Sequence, residues 1–287
     1  MNSPQIKKAA VIGAGTMGSG IAHVLSLIGI SVSLIETNEI LAQKALAAIS
    51  ANMDRQIKKG IIDAGTKEKG ISQIKTTASL EETKNAQIVI EAVPENLALK
   101  KELFSKLDSL CNPQTILATN TSSISITALA AVTNSPARVI GMHFMNPVPV
   151  MKLVEIIRGL QTSEKTYEAV RGLVLDLGKI PVMANDFPGF ISNRILMPLI
   201  NEACFALMEG VASKEDIDTV MKLGMNHPMG PLELADFIGL DVCLNILNVL
   251  LEGFADPKYR PCPLLKQMVA AGHFGRKTGR GFYEYGK

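Results

Sequence analysis

Apolar residues along the chain follow two rhythms up to about residue 186 and one rhythm after it. KAAVIG, residues 8–13, is a short unbroken apolar run, the pattern of a buried strand. GAGTMG (13–18) is a glycine-rich turn, and a helical pattern then runs from about Gly18 to Ile28 and is closed by Gly29. SVSLIE (31–36) reads as the second strand of a βαβ unit. From 40 to 60 the residues Leu41, Ala45, Ala48, Ile49, Met53 and Ile57 recur at helical spacing, and Lys58, Lys59 and Gly60 close the helix. This stretch is long for a simple crossover and predicts an insertion. Further strands are predicted at 71–77, 86–93, 115–120, 138–144, 152–157 and 180–185, with helices at 96–110 and 164–177. Strands alternating with helices predict an α/β fold: a largely parallel, Rossmann-type doubly wound sheet with a helical-hairpin insertion.

Past about Asp186 the strand rhythm stops. GFISNRILMPLINEACFALMEG is helical throughout, SKEDIDTVMKLG begins with Ser213 as N-cap and Asp216 three residues on, and later segments continue in that style. The expected organisation is a sheet domain over 1–187 and an all-α domain over 188–287. NILNVLLEGF and ILMPLINEACFALM are apolar around much of the helix circumference, more than a surface helix needs. Surfaces of that kind most often close as two-fold dimers, so a homodimer through residues 188–287 is expected.

Composition adds exclusions. A hydrophobic share of 47% with 20% charged residues is that of an ordinary globular chain, and a net charge of +2 gives no reason to expect a nucleic-acid or membrane partner. No apolar run approaches the ~20 residues of a spanning helix. The first strand starts so near residue 1 that no leader peptide is expected, and the cytoplasm is the default compartment. Cys111, Cys204, Cys243 and Cys262 show no C-x-x-C spacing, which fits a reducing compartment better than disulfides or zinc. His23, His227 and His273 match no ligand spacing, His23 reads as a helix residue, and no metal site is expected.

Gly13, Gly15 and Gly18 spell G-x-G-x-x-G between a strand and a helix. Gly13 permits the turn, Gly15 lets backbone approach a pyrophosphate, and Gly18 allows close helix–strand packing. Glu36 follows about 20 residues on, at the end of the second strand, where an acid accepts from the adenosine ribose. That acid repels a 2′-phosphate, and Thr37 and Asn38 supply no arginine to hold one, so NAD is expected rather than NADP.

GMHFMNPVPVMKLVEII (141–157) places His143 at the end of one apolar run and Glu155 inside another. A buried carboxylate is costly unless paired. Bonded to the histidine's Nδ1–H it would fix the tautomer and support an imidazolium, leaving Nε2 to take a hydroxyl proton while hydride leaves for the cofactor. From pattern alone a core histidine beside an unrelated structural acid is an equal reading.

VIGAGTMGSGIA, EAVPENLALKKELF, ATNTSSISI, GMHFMNPVPVMKLVEII, DFPGFISNRI, HPMGPLELADFIGLD and GRKTGRGFYEY together resemble the L-3-hydroxyacyl-CoA dehydrogenase family, in particular its short bacterial members acting on 3-hydroxybutyryl-CoA. The likeness runs over nearly the whole chain. It implies an NAD-dependent enzyme interconverting (3S)-3-hydroxyacyl-CoA and 3-ketoacyl-CoA, with His143 as catalytic base and Glu155 as its orienting acid. The family's active-site serine falls on Ser122 and its asparagine on Asn193, implying hydrogen bonds to the substrate's oxygens. Cofactor contacts fall on Glu95, Lys100, Asn146 and Lys277, the last implying that the glycine-rich tail folds over the cleft. A basic contact to the CoA end falls on Arg55, with Lys58 and Lys59 nearby, and dimerisation falls to the C-terminal domain. A dehydrogenase of a free hydroxy acid on the same scaffold is the alternative. A catalytically silent dinucleotide-binding protein is a further one, which the presence of His143, Glu155, Ser122 and Asn193 argues against.

Overall fold

A computed structural model describes residues 6–286, so the stretch before the first strand on which the leader expectation rests lies mostly outside the described residues. The chain divides into two compact units, the first ending at Asp186 and the second beginning at Phe187.

In the first unit the strands are β1 (Lys8–Ile12), β2 (Ser31–Ile35), β3 (Ile74–Thr77), β4 (Ile88–Glu91), β5 (Ile116–Thr119), β6 (Val139–Phe144), β7 (Leu153–Arg158) and β8 (Ile180–Asn185). The helices are α1 (Thr16–Leu27), α2 (Glu39–Lys58), α3 (Ala64–Ser72), α4 (Leu97–Leu110), α5 (Ile126–Ala130) and α6 (Glu164–Asp176). One eight-stranded sheet runs β3-β2-β1-β4-β5-β6-β7-β8, the doubly wound order expected. All neighbours are parallel except β6 and β7, which are antiparallel. The link at 145–152 is too short for the crossover of about a dozen residues that parallel strands require, and so it reverses the chain. Val11, Leu34, Ile88, Ile90, Ile140, Met142 and Ile156 are buried together with Ile21 and Leu25 of α1 and Val170 and Val174 of α6.

Two local expectations need correction. Helix α1 begins at Thr16, with Gly15 as its N-cap, so Gly18 lies inside the helix. The strand predicted over 71–77 is only β3, because residues up to Ser72 belong to α3. AGTKEKGIS is polar and holds two poor helix formers, Gly65 and Gly70, so no apolar stripe announces it. Asp63 caps it, its carboxylate accepting from Thr66 N–H at 2.6 Å. A Cβ on Gly70 would stand 3.2 Å from Met53 of α2 and 3.3 Å from Leu27 of α1. The α2–α3 hairpin thus packs against the first helix of the fold.

The second unit contains α7 (Ser192–Met208), α8 (Lys214–Thr219), α9 (Pro231–Ile238), α10 (Leu240–Phe254) and α11 (Pro263–Ala270). Met197, Ile200, Cys204, Leu232, Cys243, Leu247 and Leu265 form its core. Ser213 caps α8 through Asp216 N–H and donates its hydroxyl to the Asp216 carboxylate. The tail is fastened to this unit by buried Asp236, which accepts from Phe282 N–H, Tyr283 N–H and the Tyr285 hydroxyl. Among the described residues no single helix is long and apolar enough to cross a membrane.

Candidate active site

The carboxyl edge of the parallel strands collects most of the residues singled out from sequence. Gly13 has φ +97°, and a Cβ there would lie 2.7 Å from the Ala92 carbonyl oxygen after β4. A Cβ on Gly18 would stand 1.8 Å from Gly13 O, so α1 can sit this close to the turn only with glycine. Above Gly15 the space is open to 4 Å, at the N-terminus of α1 with its unpaired N–H groups. Such a cradle fits a dinucleotide pyrophosphate, which needs close backbone approach and a positive helix end. Glu36, just past β2, accepts from Ala14 N–H at 3.1 Å and from Thr37 Oγ1 and Asn38 N–H. Burial works to raise its carboxyl, but these bonds prevail and hold it below the ordinary value.

His143 and Glu155 stand opposite each other in the β6–β7 ladder. The ring Nδ1 lies 2.7 Å from Glu155 Oε2, with His143 8% exposed and Glu155 1%. Phe144 N–H, one residue on, is bound by the Asn120 side chain at 2.9 Å. The reversing link is held by buried Lys179, which donates to Val148 O at 2.6 Å and Met151 O at 2.7 Å. Burial lowers the Lys179 ammonium from its ordinary value. Asn146 lies exposed in this link, beside His143's strand end.

Ser122 follows β5, on a loop that converges on Glu95. Glu95 Oε1 accepts from Thr121 Oγ1 at 2.6 Å, Ser122 N–H at 3.0 Å, Ser122 Oγ at 3.2 Å and both donors of Ser123. Burial works to raise the Glu95 carboxyl, but the Lys100 charge and these bonds hold it low. Lys100 does not lie on a solvated helix face. It is 1% exposed, 2.5 Å from Glu91 and 3.3 Å from Glu95. Downstream, Asp186 caps α5 by accepting from Ile126 N–H, Thr127 N–H and the Ser125 hydroxyl, which fixes the far end of the Ser122 loop.

Arg55 is exposed near the end of α2, 2.5 Å from Asn52 Oδ1, with Lys58 and Lys59 exposed beside it. In the second unit Asn193 is buried in the first turn of α7, and Lys277 forms an ion pair with Asp241. Among the described residues no group of three His, Cys, Asp or Glu is placed to hold a metal ion.

Sequence reasoning missed Glu91, Asn120, Lys179 and Asp186. Glu91 carried a visible signal, a lone acid in the apolar run AQIVIEAV. Asn120, Lys179 and Asp186 act on distant backbone and carry none.

Comparison with known proteins identifies the family. The family model for the 3-hydroxyacyl-CoA dehydrogenase NAD binding domain matches residues 8–187, and the model for the C-terminal domain of the same family matches 189–285. A probable 3-hydroxybutyryl-CoA dehydrogenase of Bacillus subtilis is 56% identical over 281 residues, covering 98% of each chain. The human mitochondrial hydroxyacyl-coenzyme A dehydrogenase is 44% identical, covering 98% of this chain and 91% of its own. The crystal structure of (S)-3-hydroxybutyryl-CoA dehydrogenase from Ralstonia eutropha superposes with a TM-score of 0.96 at 51% identity, over 99% of this chain and all of that one.

Proposed function

The chain belongs to the 3-hydroxyacyl-CoA dehydrogenase family, and from that premise we propose that it interconverts (3S)-3-hydroxybutyryl-CoA and acetoacetyl-CoA with NAD, using His143 as base and Glu155 as its orienting acid. The observation that carries this is the 2.7 Å bond between His143 Nδ1 and Glu155 Oε2 at the edge of the sheet that bears the glycine cradle.

A carboxylate can only accept, so Nδ1 carries the hydrogen and Nε2 is the basic nitrogen. Nε2 takes the proton of the 3-hydroxyl as the C3–H bond breaks and the C3–O bond becomes a carbonyl. The charge gained by the ring lies against buried Glu155, which stabilises it without taking the proton. In the reverse direction His143 returns the proton to the 3-oxygen. Bound NAD supplies the acceptor for the hydride. Ser122, and Asn193 on the family likeness alone, hydrogen-bond the 3-oxygen and thioester carbonyl. With its ammonium enclosed by Glu91, Glu95 and the Val93 carbonyl, Lys100 serves the cofactor by fixing Glu95. Asn146 and Lys277 are further cofactor contacts. Arg55, with Lys58 and Lys59, meets the phosphates of CoA. The four-carbon acyl chain follows the names of the bacterial relatives.

The reading includes a homodimer through the helical unit, and the bacterial relatives fit a cytoplasmic enzyme. Ile195, Val211, Leu223 and Met225 are each 60% or more exposed on the single chain, an apolar surface that a second copy would cover.

The test is NADH oxidation with acetoacetyl-CoA beside free acetoacetate. Turnover that needs the thioester and collapses in His143→Ala supports the proposal. Equal turnover of the free acid would favour the hydroxy-acid alternative, and none with either would favour a silent protein.

A further inference from the structure

Glu91 enters the roles above only as a partner of Lys100, yet it is fully buried at the end of β4, in register with Ile12 of β1 and Thr119 of β5. Both of its oxygens accept hydrogen bonds. Oε1 accepts from Val93 N–H at 2.7 Å and Lys100 Nζ at 2.5 Å, and Oε2 accepts from Thr119 Oγ1 at 2.6 Å.

Both arms of this carboxylate lead to the same place. Thr119 Oγ1, which donates to Glu91, accepts in turn from Thr121 N–H at 3.1 Å. Lys100 Nζ lies 3.3 Å from Glu95 Oε2, and the other oxygen of Glu95 gathers the backbone and hydroxyl of Ser122. The chain is thus held on either side of Ser122 by bonds that begin at one buried charge.

We propose that Glu91 is a positioning residue for Ser122, and that its negative charge is what performs the task. This rests on the reading of Ser122 as a substrate contact. Lys100 sits between two carboxylates, nearer the buried one. With Glu91 charged, the ammonium is drawn inward and Glu95 keeps its serine donors. Without that charge Lys100 has one carboxylate left, and Glu95 is pulled toward it and off the Ser122 loop. A buried ion pair is a poor source of stability, because desolvating the two charges offsets most of their attraction. Geometry at the loop is what this pair provides. The sequence shows both partners where charges are not expected: Glu91 in an apolar strand, and Lys100 on the stripe of α4 that also buries Phe104 and Leu107.

The experiment compares wild type with Glu91→Gln, Ser122→Ala and the double variant, reading kcat with (3S)-3-hydroxybutyryl-CoA and NAD and checking folding by circular dichroism. Glutamine keeps the size and an acceptor and removes the charge. The expected result is a kcat about 10- to 100-fold lower in each single variant, with the double variant within about threefold of Ser122→Ala alone. Multiplying losses would show that Glu91 acts independently of Ser122 and overturn the proposal, as would wild-type kcat in Glu91→Gln. A general structural defect multiplies with Ser122→Ala, so the coupling separates positioning from fold damage. If Glu91→Gln does not fold, Thr119→Val cuts one arm alone and is judged by the same coupling. Wild-type kcat in Ser122→Ala would remove the substrate role of Ser122, and this proposal with it. The dehydrogenase assignment would stand, since His143→Ala tests it separately.

Discussion

Glu36 and Ala14 are joined by a hydrogen bond of 3.1 Å from the backbone N–H to the carboxylate, so the acid at the end of β2 is anchored on the glycine turn itself. Its carboxyl is held below the ordinary value and is charged at neutral pH, where it would face a 2′-phosphate with like charge. The wild-type enzyme is therefore expected to prefer NADH to NADPH in kcat/KM. Glu36→Gln should narrow that preference at least about tenfold, equivalent to ~1.4 kcal/mol. A wild-type preference for NADPH would mean that a basic group elsewhere governs the choice.

For the dyad, His143→Ala should lower kcat by about 10²- to 10⁴-fold while NADH still binds, as measured by fluorescence titration. Glu155→Gln should cost less, about 10- to 100-fold, because the amide oxygen can still accept from Nδ1 but no longer offsets the ring's charge. Near-normal turnover in the histidine variant would refute the base assignment.

His23 is fully buried in α1, with Nε2 3.0 Å from Gln56 Oε1 of α2 and no hydrogen-bond partner at Nδ1. Burial lowers it from the ordinary 6.5, against a smaller upward effect of Gln56. In the unfolded chain it protonates at the ordinary value, so between that pH and the lowered one the unfolded state binds more protons. Stability from this site is thus complete above pH 6.5 and is lost as pH falls toward the folded-state value. His23→Leu should show a shallower loss of urea stability than wild type between about pH 7 and pH 5. Parallel curves for the two proteins would show that His23 contributes nothing to acid sensitivity.

Analytical ultracentrifugation at micromolar concentration should find a dimer. Leu223→Glu combined with Val211→Glu should shift it toward monomer if these exposed residues form the contact. A wild-type monomer, or a dimer indifferent to both charges, would place the helical unit's apolar surface outside any self-association.

Much of the first unit was legible because its signals are local. A strand, a glycine turn and a helix follow one another within a few residues, and His143 and Glu155 stand out as polar groups in apolar runs. Helix α3 was not legible, because a glycine–bulky contact at Gly70 holds it where an apolar stripe would ordinarily do so. The ion pairs of Lys100 with Glu91 and Glu95 had no local signal. Only its position on the same helical face as Phe104 and Leu107 marks it as inward, while Lys101 is partly exposed. Asp186 illustrates the remainder. It caps α5 across some sixty residues of chain, and nothing in its own neighbourhood announces that. The fold-level pattern is written in periodicity, whereas the supports of the site are written in long-range pairings.

The antiparallel meeting of β6 and β7 has a consequence for how this enzyme can vary. Side chains alternate faces along a strand, so the His143–Glu155 encounter depends on an even-odd match between two ladders. Lengthening or shortening the link at 145–152 leaves the facing of the dyad unchanged as long as the ladder keeps its alignment, although it would disturb buried Val148 and the Lys179 bonds. A single-residue deletion inside either strand instead carries one partner to the opposite side of the sheet, where no substitution nearby can restore the pair. Natural variation in chain length is therefore expected to spare the two strands, and the link between them as well, because Lys179 holds its backbone at Val148 and Met151.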